Sequence, residues 1–66
     1  MKDMYGNPIR MGDDVMVPDP KPEDIWSNEF RGRVIEIDST HRLVTIQDQE
    51  DDCFDVEPER LEIVLG

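Results

Sequence analysis

The chain has one cysteine, Cys53, among its 66 residues. An intramolecular disulfide and a cysteine-based zinc site both need at least two thiols, so both are excluded. Long apolar runs are also missing. No stretch approaches the roughly 20 apolar residues of a membrane span, and Met1 to Gly12 lacks the apolar core of a signal peptide. The expectation is a cytoplasmic protein without membrane contact. Bases are scarce: Lys and Arg number 7 against 17 Asp and Glu, a net charge of −10. Nucleic-acid binding requires cations that displace counterions from phosphates, so direct DNA or RNA contact is disfavoured. Anionic membranes are disfavoured for the same reason. Only a local basic face of Lys2, Arg10, Arg31, Arg33 and Arg42 would reverse this.

Catalytic signatures are lacking as well. There is no glycine-rich phosphate loop and no Ser-His-Asp spacing. Carboxylates are plentiful, but an acid catalyst needs one carboxyl desolvated enough to stay protonated, and a short chain of exposed acids offers no such pocket. Cys53 and His41 fall on different predicted hairpins, and the acids around Cys53 disfavour a thiolate. The chain is expected not to be an enzyme and to need no cofactor. Asp48, Glu50, Asp52 and Glu59 match the first, third, fifth and twelfth positions of a calcium loop. Cys53 stands where that loop needs glycine, Pro58 interrupts it, and no helices flank it. No metal is expected there, and the acids read as a solvated hairpin.

What is present is β patterning. Helical spacing of apolar residues is nearly absent, whereas short alternating runs between turn residues recur. Gly6, Asn7 and Pro8 mark a turn in a lead-in segment, 1–11, anchored by Ile9. Gly12 to Asp14 is a second turn feeding a strand from Val15, with Val15 and Val17 on one face. Pro18, Pro20 and Pro22 stiffen a long polar loop that ends at Ile25 and Trp26. Phe30 to Ile37 is the longest strand. Gly32 within it implies a bend or a close backbone approach. Val34, Ile35 and Ile37 break alternation once, consistent with a bulge or with burial on both faces. Asp38 to Arg42 is a hairpin loop, Leu43 to Ile46 a strand, and 47–52 contains the next turn. Phe54 and Val56 alternate with Cys53 and Asp55. Glu57 to Arg60 reads as one 3₁₀ turn before a last short strand at Leu61 and Ile63. Five strands in a single domain, 1–66, would leave exposed edges unless the sheet curls into a small, partly open barrel over about 12–65.

The runs Gly12-Asp-Asp-Val15, Phe30-Arg-Gly-Arg-Val34 with Ile37, Leu43-Val-Thr-Ile46, Phe54-Asp-Val56 and Glu59-Arg-Leu61 resemble the SH3-like barrel superfamily. The style is that of its Tudor-like and KOW-like members. The resemblance spans residues 9 to 64, and the lead-in resembles the start of small bacterial and phage barrel proteins. It implies an all-β, five-stranded, partly open barrel. Members bind proteins or nucleic acids or serve as appendages of larger assemblies, so the fold does not fix the function. A Tudor-type reader holds a methylated ammonium in an aromatic cage. Here Trp26 and Phe30 supply two walls, and the hairpin 47–52 supplies carboxylates in place of a ring. A KOW-type RNA contact needs basic loops, for which 38–42 offers His41 and Arg42.

The functional expectation is a monomeric protein-interaction module. Its binding surface would run from the proline loop through Trp26 and Phe30 to Asp48, Glu50, Asp51 and Asp52. Aromatic area supplies affinity there, and the acids steer a basic protein or peptide partner. Trp26 has a second role open to it, capping the open end of the barrel. The alternatives are a nucleic-acid-associated or DNA-mimicking protein, and a structural accessory of a phage or mobile element.

Overall fold

The computed structural model describes residues 1–65. It contains five strands: β1 (Asp14–Val17), β2 (Phe30–Asp38), β3 (Leu43–Gln47), β4 (Cys53–Val56) and β5 (Glu62–Ile63). A single 3₁₀ turn, Pro58–Arg60, precedes β5. The strands form one sheet in the order β4-β3-β2-β1-β5. All neighbouring pairs are antiparallel, and the sheet is not closed. The chain is all-β, as the alternating runs predict.

Alternation places the core. Val15 and Val17 of β1, Val34 of β2, Val44 and Ile46 of β3 and Val56 of β4 are buried, joined by Ile9, Trp26 and Leu61. Residues between them on each strand face outward, which is the period-2 signature of a sheet with one buried face. The 3₁₀ turn contributes buried Pro58. Phe30, Ile37, Phe54, Ile63 and Met1 pack on the margin of this cluster.

β2 is the spine, pairing through residues 30–33 with β1 and through residues 33–38 with β3. Two features let one strand serve both neighbours. The first is a bulge: Val34 pairs with Ile46 but Glu36 with Thr45, so Ile35 is the extra residue. It faces outward, and Ile37 returns to the core side. The second is Gly32, which lies opposite Val15. A Cβ there would collide with Ile46 Cγ2, would come within 2.7 Å of the Gln47 carbonyl oxygen, and would reach Phe30 Cε2 at 3.2 Å. Only glycine permits β2 to curl this closely over the end of β3. The expected close approach at Gly32 and the bulge after Val34 are both present.

The first residues do more than lead in. Met1 to Ile9 folds into a short hairpin, with a bridge between Lys2 and Pro8. Its anchor is Asp3, whose carboxyl group is buried (5% exposed). Asp3 Oδ1 accepts the N–H groups of Tyr5 (2.9 Å) and Asn7 (2.8 Å), and Oδ2 accepts that of Ile63 (3.0 Å). Met4 N–H donates to the Leu61 carbonyl at 2.9 Å. Burial pushes the Asp3 carboxyl pKa up, but the three backbone donors from Ile63, Asn7 and Tyr5 outweigh it and hold the group below its ordinary value. Ile9 is buried in the core and anchors the segment as expected, whereas Asp3 carries no local signal, because a lone aspartate near a turn resembles any solvated turn residue.

Two outcomes are expected. Gly32→Ala should cost about 1–3 kcal/mol through overpacking, lowering the melting midpoint by roughly 5–20 °C in a domain this size; an unchanged midpoint would mean that the close approach at Gly32 is not a constraint. For Asp3 the lowered native pKa means that its stabilisation is complete above the ordinary value of 3.8 and is lost as pH falls through the lower native value. Asp3→Asn should therefore melt below wild type at neutral pH, and the gap should narrow on acidification below about pH 4. A gap independent of pH in calorimetry would rule out the charged carboxylate as its source.

Candidate functional site

At one end of the sheet lies an open groove of about 760 Å³. Its apolar wall is Trp26, Phe30 and Phe54. The rings touch in tilted and edge-on arrangements: Trp26 to Phe30 at 6.4 Å, Trp26 to Phe54 at 6.0 Å and Phe30 to Phe54 at 5.4 Å between centroids. The same lining includes the acidic residues Glu29, Asp48, Glu50 and Asp52, with Arg31 as its one cation. The groove thus brings aromatic rings and carboxylates together.

Each predicted site residue can be placed. Phe30 opens β2 and is half-buried at the groove, beside Trp26. Asp48, Glu50 and Asp52 line the groove from the β3–β4 hairpin. Asp48 also builds that hairpin, because its Oδ1 accepts the N–H groups of Glu50 (2.8 Å) and Asp52 (2.9 Å). Asp51 occupies the tight point of the turn with a φ of 65° and lies outside the groove lining. Aspartate tolerates that left-handed conformation better than most residues. Cys53 is an exposed free thiol.

Trp26 is nearly buried (6% exposed), so it takes the capping role and offers the groove only a margin of its ring. Its indole N–H donates to the Pro18 carbonyl at 2.9 Å, which satisfies its polar handle. Arg60 lies over the ring, with the guanidinium carbon 5.3 Å from the centroid. Arg60 in turn bonds both oxygens of Asp24, at 2.8 and 3.3 Å, and Glu57 at 3.3 Å. Asp24 closes its own turn by accepting the Lys21 N–H at 2.8 Å. The Arg60 hydrogen bond holds the Asp24 carboxyl below its ordinary pKa, and the same bond pushes the Arg60 pKa up. At the far end of the loop, Asp19 Oδ1 accepts the Glu29 N–H at 3.0 Å. The proline loop is therefore fastened at Pro18, Asp19, Asp24 and Trp26.

A methylammonium cage needs open space between rings. These three rings contact one another, and the cationic position over Trp26 holds Arg60. The arrangement is a packed cluster flanking a groove.

Two participants were not identified as site residues from sequence. Phe54 was visible only as an alternating strand residue; its pairing with Ile46 carries it to the groove. Glu29, which precedes the strand start at Phe30, had no distinguishing signal. His41 and Cys53 stay apart, since β3 runs its full length between their hairpins. His41 instead bonds Asp38 at 2.7 Å, and that bond lowers the Asp38 pKa. Arg31 and Arg33 both reach Asp14, at 3.2 and 3.8 Å. Among the described residues, no group of three or more His, Cys, Asp or Glu side chains is arranged to hold a metal, and no helix is long and apolar enough to cross a membrane.

The Arg60–Asp24 pair supplies the test of this site's construction. Arg60→Met keeps most of the aliphatic packing on Trp26 but removes the charge. It should lower the melting midpoint at pH 7, where Asp24 is left ionised without its partner. Because the native Asp24 pKa is lowered, the wild-type advantage is complete above 3.8 and fades as pH falls through the lower native value. A melting series showing no difference at pH 7 would remove the ion pair as the lock on the loop. Comparison with family models, with curated proteins and with solved structures finds no match for this chain, so the site rests on its own chemistry.

Proposed function

We propose that the chain is a small SH3-like barrel that acts as a non-enzymatic protein-interaction module and takes a cationic segment of a partner protein into the groove. The observation that carries this reading is the juxtaposition of an aromatic wall with four carboxylates and one cation in a single open groove. Aromatic area gives contact energy with little side-chain entropy to lose. The carboxylates, backed by a net charge of −10, attract and orient a basic partner. The open five-stranded antiparallel sheet with its 3₁₀ turn before β5 supports the SH3-like assignment.

Direct contact with nucleic acid is disfavoured further by how the bases are used. Arg31 and Arg33 are engaged with Asp14, and Arg60 with Asp24 and Glu57. Phosphates would have to displace those acids. A single exposed thiol with no disulfide suits a reducing compartment, and we place the protein in the cytoplasm.

The test uses isotope-labelled protein titrated with a panel of basic peptides, each bearing one aromatic residue. Amide shifts should concentrate at 25–31 and 48–54 and weaken as salt rises. The variant Glu29→Lys with Glu50→Lys should lose binding while melting like wild type, because neither carboxylate makes a hydrogen bond among the described residues. Shifts centred elsewhere, or binding that survives the charge reversal, would dismiss the groove as the binding surface.

A further inference from the structure

Edge strands present unpaired N–H and C=O groups, so they are where a small β domain meets other extended chains. The two edges of this sheet differ. At β5, Asp3 accepts the outward N–H of Ile63 and Met4 donates to the Leu61 carbonyl, so the chain covers its own edge. At β4, the other edge, no backbone partner lies outside β3 among the described residues.

Ladder parity identifies the uncovered groups. Opposed residues in an antiparallel pair alternate between exchanging hydrogen bonds and not exchanging them. Asp48 N–H donates to the Asp52 carbonyl at 2.9 Å, which makes that pair a bonded one. Counting along the register, Ile46–Phe54 and Val44–Val56 are bonded pairs, and Gln47–Cys53 and Thr45–Asp55 are not. The backbone N–H and C=O groups of Cys53 and Asp55 therefore point away from β3, off the edge of the sheet.

A trough of about 370 Å³ runs beside this edge. It is lined by Cys53 and Asp55 of β4 together with Glu23, Asp24, Ile25 and Trp26 of the fastened proline loop. Ile25, Trp26 and Cys53 line both this trough and the aromatic groove, so the two are continuous. Ile25 is 78% exposed and adds apolar surface to its lining. Asp24 is engaged by Arg60, and Asp55 Oδ1 accepts the Thr45 hydroxyl at 2.7 Å, so Glu23 is the lining carboxylate that makes no bond among the described residues.

We infer that the β4 edge accepts an extended, lysine- or arginine-bearing segment of another protein as a sixth strand, paired to Cys53 and Asp55. This rests on the groove reading above and specifies how the partner is held. Main-chain hydrogen bonds would supply affinity, and alternate side chains would reach the aromatic groove on one face and Asp55 on the other. Charge selects the occupant. A second copy of this chain would bring another −10 and oppose Asp51, Asp52 and Asp55 with their own duplicates, whereas a cationic strand meets complementary charge.

The test uses three capped six-residue peptides of alternating lysine and valine: the parent, one N-methylated at the lysine amides, and one N-methylated at the valine amides. Each methylation blocks one edge of the peptide and leaves its side chains in place. One methylated peptide should bind roughly tenfold or more weakly than the parent, reflecting the loss of two or three main-chain bonds, while the other binds like the parent. Hydrogen exchange at the Cys53 and Asp55 amides should slow on adding the parent. Equal binding by all three, with those amides unprotected, overturns the sixth strand and leaves the groove reading standing. Binding by none overturns both. Sedimentation showing a concentration-dependent dimer with the same two amides protected overturns the cationic occupant in favour of a second copy.

Discussion

The fold depends on how closely β2 can pass over the end of β3. A domain of this size has too few residues for two separate sheets, so a single sheet must curl to enclose its own core. β2 carries that curl, pairing with β1 through one half and with β3 through the other. At Gly32 the distance to the Gln47 carbonyl leaves no room for a side chain. Three residues further on, the Ile35 bulge re-aims the strand so that Val34 and Ile37 both serve the core. Without these two features the valines of β1 and β3 would sit on a flatter sheet with one side of the core uncovered.

The groove is a consequence of that curl together with the fastened proline loop. An open sheet leaves an unfilled end, and Trp26 occupies it. Its indole is tied to Pro18, and its ring face lies under Arg60, itself held by Asp24 and Glu57. Burying an arginine beside a carboxylate is neutral at best for stability when compared with apolar packing. Its structural effect here is to hold a twelve-residue loop (18–29) against the sheet, so that Phe30 and Phe54 flank a groove whose apolar wall stays in place. The hairpin acids are held by different means: Asp48 folds the hairpin around its own carboxylate, and the turn at Asp51 adopts a left-handed conformation. The groove thus draws on two separately stabilised loops, which supply Trp26, Glu29 and the hairpin acids, and on β2 and β4, which supply Phe30 and Phe54.

Negative charge is distributed by the same logic. Three acids bonded within the fold, Asp3, Asp24 and Asp38, have lowered pKa values. The carboxylates of Glu23, Glu29 and Glu50 make no bond among the described residues, and these residues line the groove and trough. Self-repulsion among so many acids costs stability, and a cationic partner would relieve it.

Much of the architecture was legible in the sequence, because strand periodicity is a local property. Val15 with Val17 and Val44 with Ile46 announced their shared face; Gly32 and the Val34–Ile35–Ile37 run announced the close approach and the bulge; Pro58 announced the 3₁₀ turn. Trp26, Phe30 and the acids of 48–52 are expected on one surface from residue type and from the barrel resemblance, and all but Asp51 line the groove. What the sequence left open depends on contacts between residues far apart in the chain. Arg60 meets Asp24 across 36 positions and Asp3 meets Ile63 across 60, and no local pattern encodes either. The same holds for Phe54, whose place at the groove follows from cross-strand register with Ile46. Residue types and spacing determined the strands, the turns and the sign of the charge. Only the tertiary structure decided which acids are bonded within the fold, which edge the chain covers itself, and that Trp26 is mostly inside, because these are outcomes of register and loop closure.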